Sequence, residues 1–384
     1  MPIYFDNAAT SYPKPPCALE ACKDFTERVG ANPGRSGHRL SVEAGRILYD
    51  ARASLAELFN IEDPLQIIFT YNATYAVNVA LFGLLKPGDH VITSSIEHNA
   101  IARPLRYLES QGVELMRVPV DPKSCQIDPD DFKKALKSNT KLIAILHGSN
   151  VTGVIFPIAE IGKIARENDV LFLADVAQTA GAYPVDVETM NIDFLAFTGH
   201  KSLFGMQGTG GLYVREGINL LPLVRGGTGS KSEEDVQPDF MPDSLESGTP
   251  NTPGLAALAA GVKFIQERGI LNIRSHEEEL IRKLINGLIE IDEVNLVGDI
   301  SLDCRLPVIS FNIEGLLPSE VGQILDEKYN IMVRVGLHCA PWAHQTMGTY
   351  PKGTVRASLS YLNTKDEVDC FLKAVGEISK RRRI

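Results

Sequence analysis

The chain has 384 residues, 44% of them hydrophobic and 22% charged, with 38 Lys+Arg against 48 Asp+Glu and a formal net charge of −10. This length carries a prior of roughly two or three folding units, and the composition excludes a chain that is disordered by sequence. The acidic balance argues against broad non-specific binding to nucleic acid or to an anionic membrane.

No stretch approaches the ~20 apolar residues of a membrane span. The N-terminal run Met1-Pro2-Ile3-Tyr4-Phe5-Asp6 has neither the basic nor the apolar region of a secretory signal. Cys17, Cys22, Cys125, Cys304, Cys339 and Cys370 form no C-x-x-C pair. They point to reduced thiols in a soluble cytoplasmic protein. Arg381, Arg382 and Arg383 read as a solvated helix end rather than a nucleic-acid tail.

From about residue 66 short β-rich runs alternate with amphipathic segments. Strands are predicted over 66–70, 90–93, 113–118, 141–147, 170–174, 192–197 and 210–214. Helices are predicted over 74–85, 99–111, 129–137 and 157–168. The strands are apolar nearly throughout, as expected of a parallel sheet covered on both faces. Pro and Gly crowd residues 222–254, which predicts loops there. Beyond lie helical patterns over 254–268 and 271–291, strands over 306–312, 331–335 and 354–359, and a last helix over 364–380. The expected fold is α/β, with a large domain built on a mostly parallel central sheet flanked by helices and a smaller C-terminal α/β domain.

Ligands of open α/β sheets bind beyond the carboxyl ends of the strands. Five successive strands here end in polar clusters: Thr70 to Thr74, Glu97-His98, His147 to Asn150, Asp175 to Gln178, and Thr198 to Lys201. Lys201 lies just past an apolar strand and stands beside a histidine and a hydroxyl. A lysine in such a place suits Schiff-base chemistry when burial or nearby cations depress its pKa. Asp175, 26 positions upstream, closes the apolar strand Val170 to Ala174. A buried acid is costly without a cationic partner, and the pyridinium nitrogen of pyridoxal phosphate is such a partner.

These residues resemble the class V aminotransferase family of fold-type I pyridoxal-phosphate enzymes, over nearly the whole chain. Within it the resemblance is to the SufS-like cysteine desulfurases and selenocysteine lyases. The matching segments are Tyr4 to Thr10, Ala174-Asp175-Val176-Ala177-Gln178, Thr198-Gly199-His200-Lys201, Gly248-Thr249-Pro250-Asn251, Arg334 to Ala340, and Val355-Arg356-Ala357-Ser358. The family's glycine is absent from Tyr71-Asn72-Ala73-Thr74-Tyr75, and Gly34 stands where related desulfurases carry histidine.

The resemblance implies that Lys201 joins pyridoxal 5'-phosphate in an imine and shuttles the Cα proton. Asp175 pairs with the ring nitrogen, Gln178 bonds the ring hydroxyl, and His98 stacks over the ring and acts catalytically by assisting proton transfer. Thr74, Thr198 and His200 hold the phosphate, with Thr249 entering from a second subunit of a homodimer with shared active sites. Arg356 clamps the substrate carboxylate, with Asn150, itself also near the cofactor, and Arg334 alongside. The implied division is a large domain over 15–265, and a small one made of 1–14 and 266–384.

Cys339 selects the reaction. It comes after Arg334 and His338 in a segment rich in turn residues, and positive charge near a thiol favours the attacking thiolate. The implied reaction removes sulfur or selenium from L-cysteine or L-selenocysteine, leaving L-alanine and a persulfide or selenosulfide on Cys339 for an acceptor protein. The other five cysteines read as structural. Alternatives within the fold are an aminotransferase, a β-lyase or a non-catalytic sulfur carrier. No metal site is expected, because His338, Cys339 and His344 share one loop without a second cluster. No G-x-G-x-x-G comes after the first strand, so a dinucleotide site is not expected either.

Overall fold

The structure, a computed structural model, describes residues 2–34, 36–300 and 305–380. Cys304 and Arg381 to Arg383 lie outside the described residues.

The chain opens with β1 (Ile3–Tyr4), α1 (Pro16–Asp24) and α2 (Arg39–Phe59). The alternating segment comes next: β2 (Ile67–Thr70), α3 (Ala73–Leu84), β3 (His90–Ser94), α4 (Asn99–Ser110), β4 (Glu114–Val118) and α5 (Pro129–Ala135). It continues through β5 (Thr140–Leu146), α6 (Ile158–Glu167), β6 (Leu171–Asp175), β7 (Phe194–Thr198) and β8 (Gly210–Val214). Every strand and helix predicted in this stretch is present. The 215–251 stretch holds neither helix nor strand, in line with its Pro and Gly content.

The seven strands form one sheet in the order β2-β8-β7-β6-β5-β3-β4. Neighbours from β7 to β4 are parallel, while β8 is antiparallel to both β7 and β2. Alternate residues of each strand feed two separate cores. Ile143, Ile145, Phe172 and Phe197 pack against α2 and α7 (Thr252–Arg268), whereas Leu142, Ala144, Leu173 and Ala196 pack against α3 and α4. Burial on both faces explains the continuous apolar runs. β4 departs from that expectation: it is an edge strand with Glu114, Met116 and Arg117 exposed, and edges carry charge to discourage further pairing.

After α7 come α8 (Ile270–Ile289), β9 (Val294–Val297), β10 (Val308–Ile313), α9 (Pro318–Tyr329), β11 (Ile331–Met332), β12 (Arg334–Gly336), α10 (Pro341–Thr346), β13 (Thr354–Ser358) and α11 (Lys365–Ser379). β12-β13-β10-β9 form a four-stranded sheet with its own core, to which α8, α9 and α11 contribute. The single strand predicted over 331–335 is in fact two. β11 pairs in parallel with β1, and β12 pairs antiparallel with β13. The chain thus leaves one sheet for the other within a few residues, which places Arg334 next to Arg356 as its register partner.

Candidate active site

A cavity of about 290 Å³ opens at the carboxyl ends of the parallel strands, between the large sheet and β12-β13. Its wall contains ten of the residues singled out in the sequence: Thr74, His98, Asn150, Asp175, Gln178, Thr198, His200, Lys201, Arg334 and Arg356. They come from the carboxyl ends of β3, β5, β6 and β7, from the start of α3, and from β12 and β13, so distant segments converge where the two sheets meet. Cys339 stands at the rim, on an outer groove that it shares with Thr74 and His98. Thr249 does not line its own chain's cavity. It borders a separate cleft with Tyr71, Tyr75 and Gly248.

Asp175 ends β6 and is 4% exposed. One carboxylate oxygen accepts the Ala177 N–H at 2.9 Å, and the other makes no hydrogen bond within the described residues. Burial raises its pKa above the usual carboxylate range, opposed by that N–H and by Lys201. Lys201 keeps partial access to the cavity. Its amine is pushed down to about 8, chiefly by burial. Asp175 opposes the shift, and Arg356 and Arg334 add to it. The main chain beneath this lysine is held by the N-terminal segment. Ser11 Oγ donates to the Lys201 carbonyl at 2.9 Å, while the Ser11 N–H and Lys14 Nζ donate to the His200 carbonyl at 3.1 and 2.6 Å.

His98 caps α4: its Nδ1 accepts the Ala100 N–H at 3.0 Å. Burial, with Lys201 and Arg334 next, pushes its pKa down to about 3. The ring is therefore neutral with its proton on Nε2, a donor on the cavity wall. Capping and lining are compatible here, because each uses a different ring nitrogen. The adjacent Glu97 is fully buried and accepts from Ser94 Oγ at 2.5 Å and from the Leu146 N–H at 3.0 Å. It ties the β3–α4 turn to β5.

At the start of α3, Asn72 caps the helix by accepting the Tyr75 N–H at 2.9 Å, and Thr74 lies in the first turn. Free N–H groups and the helix dipole make such a terminus suited to an anion. Gly210 makes the close approach possible, since a Cβ there would lie 2.7 Å from Asn72 Cα. Thr198 Oγ1 donates to the Thr209 carbonyl at 3.5 Å, and His200 Nδ1 is buried with no partner among the described residues. Gln178 Nε2 donates to the Ala8 carbonyl at 3.0 Å.

Arg356 is completely buried on β13. Its Nη2 donates to Asp6 Oδ1 at 2.7 Å and its Nη1 to the Asn150 carbonyl at 3.1 Å. Asn150 Nδ2 donates to the His338 carbonyl at 2.7 Å. His338 and Cys339 both adopt left-handed backbone, with φ of 49° and 58°, a conformation that costs about 1 kcal/mol or more at each non-glycine residue. The Asn150 bond and the Asn99 N–H, which donates to the Cys339 carbonyl at 2.8 Å, hold this turn in place. It presents an exposed Cys339 thiol that accepts from Arg334 Nη2 at 3.2 Å. Among the other described cysteines, Cys125 is buried, Cys17 and Cys22 are half-buried, and Cys370 is exposed on α11.

The sequence reading gave no role to Asp6 or Glu97, although it quotes both, and named His338 only as a neighbour of Cys339. Asp6 and His338 lie inside segments already noted, but their partners are set by folding rather than by spacing. Glu97 had a visible signal, an acid at a strand end beside His98.

An open α/β sheet with a lysine and a buried acid lining one cavity at its strand ends suits an enzyme that works through a covalently held carbonyl cofactor. The aminotransferase class-V family model matches residues 3–371, and the chain belongs to that family. It is 38% identical to a probable cysteine desulfurase of Pyrococcus abyssi, covering 99% of this chain and 95% of that one. A probable cysteine desulfurase of Methanothermobacter thermautotrophicus is 35% identical, over 98% and 94% of the two chains. Among solved structures, the apo cysteine desulfurase of Thermococcus onnurineus superposes with a TM-score of 0.92 at 37% identity, covering 99% of this chain and 95% of that one. Pyridoxal phosphate is the cofactor of the family. The residues fit it, because the Asp175 carboxylate has an unused oxygen, Lys201 has a depressed pKa, and the His200 Nδ1, on a residue lining the same cavity as the α3 terminus, has no partner among the described residues.

Proposed function

We propose that this chain is a cysteine desulfurase, taking sulfur from L-cysteine onto Cys339 and releasing L-alanine. The observation that carries this reading is the exposed Cys339 thiol at the rim of the Lys201–Asp175 cavity, in contact with Arg334 from the cavity wall. An aminotransferase needs no thiol there.

Pyridoxal phosphate supplies an aldehyde for capture by an amine and a pyridinium that draws charge from the substrate's Cα. Lys201 provides the amine, and its Nζ carries the Cα proton. Asp175 would stabilise the protonated ring nitrogen with its carboxylate, and Gln178 would bind the ring hydroxyl. His98 would stack on the ring and offer its Nε2 proton. Thr74, Thr198 and His200 would hold the phosphate, together with Thr249 of the partner subunit in a homodimer. Arg356, with Asn150 and Arg334, binds the substrate carboxylate through charge-assisted hydrogen bonds. The Cys339 thiolate attacks the substrate sulfur; an S–S bond forms as the C–S bond breaks. The electron pair remains on the substrate's β-carbon and takes up a proton, giving alanine. The exposed persulfide then passes its outer sulfur to an acceptor protein's thiol.

We read residues 15–265 as the cofactor-binding domain, and 1–14 with 266–384 as the smaller one. The five described cysteines are all free, which supports a cytoplasmic setting, and no helix among the described residues is long and apolar enough to cross a membrane. The test is alanine formation from L-cysteine and L-selenocysteine, in wild type and in Cys339→Ala. Loss of the cysteine reaction alone supports a desulfurase that also serves as a selenocysteine lyase. Unchanged turnover of cysteine identifies a β-lyase or aminotransferase. A protein that develops no visible band with pyridoxal phosphate is a non-catalytic carrier.

A further inference from the structure

Arg334 and Arg356 are direct register partners on the antiparallel strands β12 and β13, and both line the cavity. Like charges placed opposite one another in a sheet repel, and Arg356 is completely buried as well. A buried guanidinium in that position needs a fixed anion. Asp6, directly after Phe5, provides it at 2.7 Å and is 22% exposed.

The Asp6 backbone is fastened to the end of β13. The Ser358 N–H donates to the Phe5 carbonyl at 2.7 Å, the Ala8 N–H donates to Ser358 Oγ at 2.9 Å, and Asn7 Nδ2 donates to the Ser358 carbonyl at 3.1 Å. The carboxylate therefore cannot follow the guanidinium; it sets the guanidinium's place. Asp6 and the Asn150 carbonyl each take one of the five N–H groups of Arg356. Its Nε–H is buried and has no partner among the described residues. A planar donor group held at two corners has its remaining N–H groups fixed in orientation, as recognition of a carboxylate requires.

We infer that Asp6 is a positioning residue for substrate binding: it locks the Arg356 guanidinium in the orientation that receives the amino acid's carboxylate. This rests on the reading of Arg356 as the carboxylate-binding residue. Burial lowers the Arg356 pKa, and Asp6 is the largest influence opposing that shift. The segment that carries Asp6 also supplies Ser11 and Lys14, which hold the carbonyls at His200 and Lys201. One stretch of chain thereby fixes both the amine and the carboxylate receptor.

The test uses the cofactor-loaded protein and titrates L-alanine, the proposed product, following the visible band. Asp6→Asn keeps the shape and removes the charge. It should weaken alanine binding about tenfold and raise KM for L-cysteine more than it lowers kcat. Combined with Arg356→Gln, it should add no further loss, because it acts through that residue. Wild-type alanine affinity in Asp6→Asn, or losses that simply add in the double variant, overturns the inference. If Arg356→Gln alone leaves alanine affinity unchanged, the carboxylate-binding role of Arg356 fails first. Should Asp6→Asn not fold, Asp6→Glu moves the charge by one methylene and must show the same loss of affinity. Wild-type binding by that variant also overturns the inference.

Discussion

Arg334 donates a hydrogen bond from Nη2 to the Cys339 sulfur at 3.2 Å, across a turn in which His338 and Cys339 are both left-handed. The strained turn keeps the thiol at the cavity rim, within hydrogen-bonding reach of that guanidinium. Arg334→Ala should slow alkylation of Cys339 by iodoacetamide near neutral pH by about tenfold, with desulfuration falling in parallel. Equal alkylation rates would mean that the contact does not activate the thiol.

The Lys201 amine is pushed down to about 8 by burial, and only its neutral form attacks an aldehyde. Uptake of pyridoxal phosphate by the apoprotein should accelerate as pH rises towards 8 and then level off. Asp175 raises the Lys201 pKa, so Asp175→Ala should move this profile to lower pH. Stopped-flow growth of the visible band measures both. A rate that keeps climbing towards pH 10.5, the ordinary lysine value, contradicts the depressed pKa.

Gly210 lets the start of α3 approach β8, and an added Cβ would lie 2.7 Å from Asn72 Cα and 2.8 Å from the Phe197 carbonyl. Gly210→Ala must therefore displace the helix terminus that carries Thr74. Such overpacking costs about 1–3 kcal/mol. The variant should lose cofactor on dialysis faster than wild type, and its Tm should fall.

Much of this site is legible in the sequence. The five polar strand ends, the Lys201–Asp175 pair and the Cys339 turn are marked by apolar runs and the polar residues that close them, and ten of the expected residues meet in one cavity. Three kinds of feature escape such a reading. Edge exposure of β4 depends on sheet order, which a strand's own sequence does not encode. The split of 331–335 between two sheets hides inside one apolar run, because both halves have strand-forming residues. The Asp6–Arg356 ion pair joins the two ends of the chain, and no local pattern announces a partner so distant. The helices at 16–24 and 39–59 are also unanticipated, since the regular alternation of strand and helix patterns starts only near residue 66.

Glu97 is fully buried, and burial, more than the nearby Asp175, raises its pKa to about 8. A carboxyl whose folded pKa lies above its unfolded value binds more protons when folded. The stability it contributes is therefore present at low pH and is lost as pH rises from about 4.5 through 8. Relative to wild type, Glu97→Gln should gain in Tm as pH is raised across that window. Glu97→Ala should lose about 1–3 kcal/mol by orphaning the Leu146 and Ser94 N–H groups. Thermal melts across pH decide this; a pH-independent difference between Gln and wild type contradicts the raised pKa.

The most direct test of the whole account is the mass of the Cys339 peptide after a single turnover with L-cysteine, without reductant or acceptor. One added sulfur on that peptide, matched by one alanine released per chain, is the predicted result. Alanine formed while Cys339 stays unmodified would contradict it.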